Sequence, residues 1–123
     1  MSFKDKVVVV TGAGQGIGEA YAKRCAAEGM KVVVAELNAE QGERVVADIR
    51  ADGGDALFVR TDVGDEQSCL DCAAAAMDRY QQIDYLINNA AIFGDMKIEG
   101  YLNVDMDYLE KFMRVNVTGA LLM

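Results

Sequence analysis

With 123 residues and a mass of 13.3 kDa, the chain has room for one compact domain or a part of one, and two full domains are excluded. Hydrophobic residues at 52% against 26% charged ones supply enough apolar mass for a core, which excludes global disorder. Acidic residues outnumber basic ones by 20 to 12 and leave a net charge of −8, which repels nucleic acid and anionic membranes; the absence of His removes imidazole catalysis and His-ligated zinc.

Behind a polar start, Val7 to Thr11 is an apolar, β-branched run between charged residues and glycines, the pattern of a strand buried on both faces of a parallel sheet. Its four valines are too few for a signal-peptide core, and no segment reaches 18 apolar residues. A cytoplasmic protein without a membrane partner is expected. From Gly16 to Glu28, the residues Gly18, Tyr21, Ala22, Cys25 and Ala26 share one helical face, and Gly29 supplies the stop. Lys31 to Glu36 reads as a second strand, Ala39 to Arg50 as a helix broken at Gly53-Gly54, and Ala56 to Thr61 as a third strand.

Asp65 is placed to cap a helix running to about Tyr80, with Cys69, Cys72, Ala73, Ala76, Met77 and Tyr80 as its apolar face. Ile83 to Asn88 reads as a fourth strand. The loop from Phe93 to Asp105 either borders a substrate cleft or lies at the surface. After it, Asp107 with Glu110 resembles an Asp version of the capping box and opens a last helix. The three cysteines, Cys25, Cys69 and Cys72, cannot all pair with one another, and a reducing interior is the simpler setting. Cys69-x-x-Cys72 lies on an apolar helix face and reads as core packing, since one such pair supplies too few ligands for a metal.

Strict alternation of four strands and four helices predicts an α/β fold, the first four βα units of a doubly wound parallel sheet of Rossmann type. Residues 1–123 read as part of a single such domain with no second one. A parallel sheet ending at its fourth strand leaves an apolar edge along Tyr85 to Ile87, so more strands are expected beyond Met123.

Between the first strand and first helix stands Thr11-Gly12-Ala13-Gly14-Gln15-Gly16-Ile17-Gly18. Glycines there allow a tight turn and close approach of backbone to a pyrophosphate, whose charge the helix N-terminus favours. The G-x-G-x-x-G spacing fails, because its third glycine would fall at Ile17 or Glu19, and no Lys follows a loop glycine as a P-loop requires. What fits is T-G-x-x-x-G-x-G. Glu36, 18 residues after Gly18, ends the second strand where a carboxylate can accept hydrogen bonds from ribose hydroxyls and repel a 2′-phosphate.

This loop resembles the cofactor loop of the short-chain dehydrogenase/reductase family, with Thr11, Gly12, Gly16 and Gly18 at the family's positions. Asp62-Val63 resembles its adenine-contacting pair, the alternative being that Asp62 simply initiates a turn. Asn88-Asn89-Ala90-Ala91 resembles its N-N-A-G motif, with Ala91 departing from the pattern, and Val115-Asn116 resembles the segment that carries its structural and catalytic Asn. The resemblance implies an NAD-binding site on Gly12, Gln15, Gly16, Ile17, Gly18, Glu36, Asp62, Val63, Asn89 and Ala90, with Asn116 in a catalytic role. NAD is favoured over NADP by Glu36 and by the absence of a basic residue at Gln15 and Leu37.

The implied activity is hydride transfer between an alcohol or ketone substrate and nicotinamide. The family's Ser and Tyr-x-x-x-Lys are expected downstream of residue 123, because no tyrosine of the chain is followed by Lys at the fourth position. A nucleotide-binding module without catalysis is the alternative. An epimerase or dehydratase loop would need glycine at Gln15 as well as Gly18. The last helix, with Leu109, Phe112, Met113, Val117, Leu121 and Leu122, resembles the family's dimer-forming helix, so a homodimer or homotetramer is implied; the alternative is that this surface packs on its own sheet.

Overall fold

In the computed structural model, which describes residues 2–91 and 106–123, the two valine-rich runs become the centre of a parallel sheet. Strand β1 (Val7–Thr11) lies between β2 (Lys31–Glu36) and β4 (Tyr85–Ile87), and β3 (Asp55–Arg60) flanks β2, giving the order β3-β2-β1-β4. The register sets Val8 beside Val32 and Val32 beside Ala56. Helices α1 (Gly16–Ala27), α2 (Ala39–Ala51) and α3 (Glu66–Tyr80) connect these strands.

The period of two along each strand divides the core. Val8, Val10, Val32 and Val34 pack with Ala22 of α1 and with Val45, Val46 and Ile49 of α2. Val7, Val9, Val33 and Ala35 face the other way, onto Cys72, Ala76 and Tyr80 of α3. Burying each valine contributes about 1.5–3 kcal/mol, and both faces are covered, as the unbroken apolar runs require. Asp65 caps α3 by accepting from Gln67 N–H at 3.1 Å, and Asn38 does the same for α2 through Gln41 N–H. Cys69 and Cys72 are buried free thiols whose acidity burial pushes down, raising each pKa above the ordinary thiol value.

Several expectations need correction. Strand β3 runs one residue earlier than expected, and β4 is three residues long rather than six. At one end of β4 the Asp84 carboxylate takes the Val7 N–H at 2.8 Å, and at the other the Thr11 hydroxyl takes the Asn89 and Ala90 N–H groups at 3.0 Å. Side chains thus reinforce both ends, and at the first the Asp84 N–H also donates to the Val7 carbonyl at 2.9 Å. Tyr21 and Met77, at the margins of their helical stripes, are exposed.

The last helix begins at Met106, so Asp107 stands inside its first turn, where it complements the helix dipole, rather than at the cap. Nor is that helix uniform. Helix α4 (Met106–Met113) passes into a π-helical turn (Arg114–Thr118), in which Gly119 N–H donates to the Arg114 carbonyl, and then into α5 (Gly119–Leu122). Of the surface expected to form a dimer, Met113 is exposed and Leu122 half-buried; the side chains of Leu109, Phe112, Val117 and Leu121 lie outside the described residues, as does the 93–105 segment. Among the described residues no helix is long and apolar enough to cross a membrane.

Candidate functional site

The strand order changes direction at β1: β2 and β3 lie to one side and β4 to the other. Open parallel sheets present their ligand crevice at such a point, beyond the carboxyl ends of the strands. There the structure holds a cleft of about 600 Å³, lined from β1 and its loop by Gly12, Gln15, Gly16 and Ile17, and from the end of β2 by Glu36 and Leu37. Thr61, Asp62 and Val63 follow β3, Asn89, Ala90 and Ala91 follow β4, and Lys111 and Val115 come from the last helical segment.

Thr11 organises the junction. Its buried hydroxyl accepts from both Asn89 N–H and Ala90 N–H and donates to the Ile87 carbonyl across 3.4 Å, a long bond. Asn89 Nδ2 donates to the Gly12 carbonyl at 3.2 Å, so three hydrogen bonds tie the loop after β4 to the end of β1 and the start of the glycine loop. Gly12 has φ of +64°, and a Cβ there would come within 2.8 Å of the Ala90 backbone. Gly18 does not line the cleft. It packs beneath it, where a Cβ would collide with the Gly12 carbonyl and Asn89. Gly16 is different again: φ is +57°, and a Cβ would meet no atom within 4 Å, because the position faces the open cleft.

Glu36 is held by its own chain. One carboxylate oxygen accepts from Gly14 N–H and the other from Asn38 N–H, both at 2.9 Å. A Cβ on Gly14 would intrude on the Glu36 side chain at 2.6–2.8 Å, so a larger residue there would have to displace the carboxylate from its bond to the loop. Asp62 does form a turn, since its Oδ1 accepts from Gly64 N–H at 2.9 Å, and it lines the cleft as well. Val63 is buried and sits against Gly119. Ala91 escapes strain, because among the described residues only Asp5 and Gln81, of the non-glycines, have positive φ.

Nine of the ten residues expected to bind the cofactor therefore line one cleft, with Gly18 as the exception. Asn116 lies on the π-helical turn, half-buried, and does not line the cleft, whereas its neighbour Val115 does. Asn88 points elsewhere, donating to the Ala120 carbonyl at 3.2 Å. Among the described residues no group of three or more Cys, Asp or Glu is placed to hold a metal.

Sequence reading missed Lys111, and it missed the support behind the loop. Glu19 of α1 grips Arg44 of α2 through both carboxylate oxygens, at 2.7 and 3.1 Å, and also takes Lys23 at 2.6 Å. The Arg44 and Lys23 hydrogen bonds hold the Glu19 carboxyl down at about 2. Asp48 closes the cluster onto both cations. Arg44 Nη2 also donates to the Gly14 carbonyl at 3.0 Å. The i,i+4 pairs Glu19–Lys23 and Arg44–Asp48 can be seen in the sequence, but the meeting of the two helices cannot.

Comparison with known proteins agrees with this geometry. The family model described as short chain dehydrogenase matches residues 6–123. A protein of Mycobacterium tuberculosis named as an uncharacterized oxidoreductase is 50% identical over 97% of this chain and 48% of its own length. A 2,5-dichloro-2,5-cyclohexadiene-1,4-diol dehydrogenase of Sphingobium indicum is 43% identical over 95% of this chain and 46% of its own. Among solved structures, the 3-ketoacyl-(acyl-carrier-protein) reductase of Brucella melitensis complexed with NADH superposes with a TM-score of 0.90 at 36% identity, covering 99% of this chain and 48% of that one. A short chain dehydrogenase/reductase of Burkholderia phymatum in complex with NAD gives 0.93 at 32% identity, with coverage of 99% and 42%. The chain spans about half the length of the curated relatives it matches.

Proposed function

The chain belongs to the short chain dehydrogenase family, and from that premise we propose that it forms the NAD(H)-binding part of an oxidoreductase acting on an alcohol or carbonyl substrate. One observation carries the reading: the Glu36 carboxylate stands at a cleft whose floor is a glycine turn with Gly16 open to it. The residues fit a dinucleotide. Gln15, at the N-cap of α1, makes no side-chain capping bond, which leaves the first-turn N–H groups to a phosphate. Glu36 keeps acceptor capacity for ribose hydroxyls beyond its two backbone bonds. Asp62 and Val63 supply the wall for an adenine, and Asn89 and Ala90 a wall for the nicotinamide side.

When bound, the nicotinamide supplies the hydride acceptor or donor at its C4. This chain's residues bind and orient. Asn116 is proposed to help hold a water near an active-site lysine, and the Tyr and Lys that move the proton are proposed to lie in sequence following this segment. Two relatives, one complexed with NADH and one with NAD, support the cofactor. Binding is tested by titrating the full-length protein with NADH and NADPH and following nicotinamide fluorescence. NADH should saturate, with NADPH at least about tenfold weaker, a gap of about 1.4 kcal/mol. No saturable binding of NADH would overturn the reading.

A further inference from the structure

Two charged side chains from different elements hold the peptide groups of one loop residue. The Glu36 carboxylate accepts from Gly14 N–H at 2.9 Å, while Arg44 Nη2 donates to the Gly14 carbonyl at 3.0 Å. A guanidinium thus lies one residue of backbone away from the carboxylate that faces the ribose. Its side chain is 48% exposed, so it is not locked in the core. Besides the Gly14 carbonyl, what holds it is Glu19, through a two-oxygen grip, with Asp48 more distant at 3.4 Å. Arginine forks bind phosphate and carboxylate through the same paired N–H groups. An arginine already engaged in that way by a carboxylate has little left for a phosphate.

Resting on the cofactor reading above, we propose that Arg44 is a latent binding group for the 2′-phosphate of NADP(H), kept out of use by Glu19. Discrimination against that phosphate then has two parts: Glu36 repels it at the ribose, and Glu19 withholds the cation that would compensate. Removing either carboxylate alone leaves the other in force. Without Glu36, Arg44 is still engaged; without Glu19, the phosphate still meets Glu36. Removing both leaves the guanidinium only the neutral Gly14 carbonyl and the long Asp48 contact, beside a neutralised ribose pocket, so the two changes should act more than additively.

The test uses the full-length protein with Glu36→Gln, Glu19→Gln, the double variant, and the double variant carrying Arg44→Gln. Dissociation constants for NADH and NADPH come from fluorescence titration, and melting temperatures establish that each variant folds. Glu19→Gln alone should leave NADPH affinity within about threefold of the parent. The double variant should bind NADPH about tenfold more tightly than the product of the single effects, a coupling of ordinary size for groups sharing one site. Arg44→Gln should abolish that surplus.

Additive effects, or a surplus that survives Arg44→Gln, would overturn the proposal while leaving NAD binding intact. A parent protein that binds no NADH would overturn the cofactor reading itself, and this inference with it. If Glu19→Gln does not fold, Glu19→Asp keeps the charge on α1 but shortens the grip; a smaller surplus that still depends on Arg44 is expected, and no surplus would count against the proposal.

Discussion

At Thr11 a single hydroxyl serves three backbone groups: it accepts from Asn89 and Ala90 N–H and donates to the Ile87 carbonyl, at 1% exposure. Thr11→Val keeps the shape and removes the acceptor of two half-buried N–H groups, which should cost about 0.5–1.5 kcal/mol in urea unfolding. Thr11→Ser keeps the hydroxyl and should recover most of that loss. Equal losses in the two variants would show that the methyl, not the hydroxyl, carries the effect. Glu19 gives a residue-scale prediction in pH. Its carboxyl is held at about 2 against an ordinary 4.5, so the folded state binds its proton less readily than the unfolded chain. The stability it contributes is therefore present above pH 4.5 and lost as pH falls toward 2. The stability gap between the parent and Glu19→Gln should be constant from pH 7 to 5 and shrink below 4.5, as measured by urea unfolding at each pH.

Helix α2 shows why local rules can mislead within an element. Gly42 stands in its interior, where replacement by Ala ordinarily stabilises by about 0.5–1 kcal/mol. Here a Cβ would run into the Phe58 ring of β3 and approach Glu36 Cβ at 3.3 Å. Gly42→Ala should therefore destabilise by about 1–3 kcal/mol, and in a Phe58→Leu background the same change should turn neutral or stabilising. Thermal melts of the four proteins in that cycle decide it. The same contrast explains what was legible in the sequence. Strands β1 and β2 appear with exact limits because runs of valine buried on both faces have no other use. Strand β4 is shorter than its run of residues suggests, because the Asp84 and Thr11 side chains take up N–H groups at its two ends in bonds that no periodicity encodes. The glycine loop could be read because its spacing is a local property, and the grip of Glu19 on Arg44 could not, because it joins residues 25 positions apart on two different helices.

For the whole molecule, binding and charge meet in one measurement. A ligand that binds only the folded state stabilises it by about 2.7 kcal/mol at a hundred times its dissociation constant. With relatives twice the length of this segment, that energy corresponds to a rise of about 5–10 °C in the melting temperature of the full-length protein. NADPH at the same concentration, binding tenfold more weakly, should raise it by about half as much. The net charge of −8 over these residues adds a general field to the local repulsion proposed for Glu36, and a 2′-phosphate in the proposed site would experience both. Salt separates the two contributions. The Debye length falls from about 10 Å at 0.1 M to about 3 Å at 1 M, which screens the distributed charge but would only partly screen a carboxylate in the ribose contact proposed for Glu36. The ratio of NADPH to NADH dissociation constants should therefore fall with salt and level off above unity, at a plateau set by Glu36. If the ratio instead reached unity, the chain's overall charge would account for the selectivity; if it did not move, the selectivity would rest on shape.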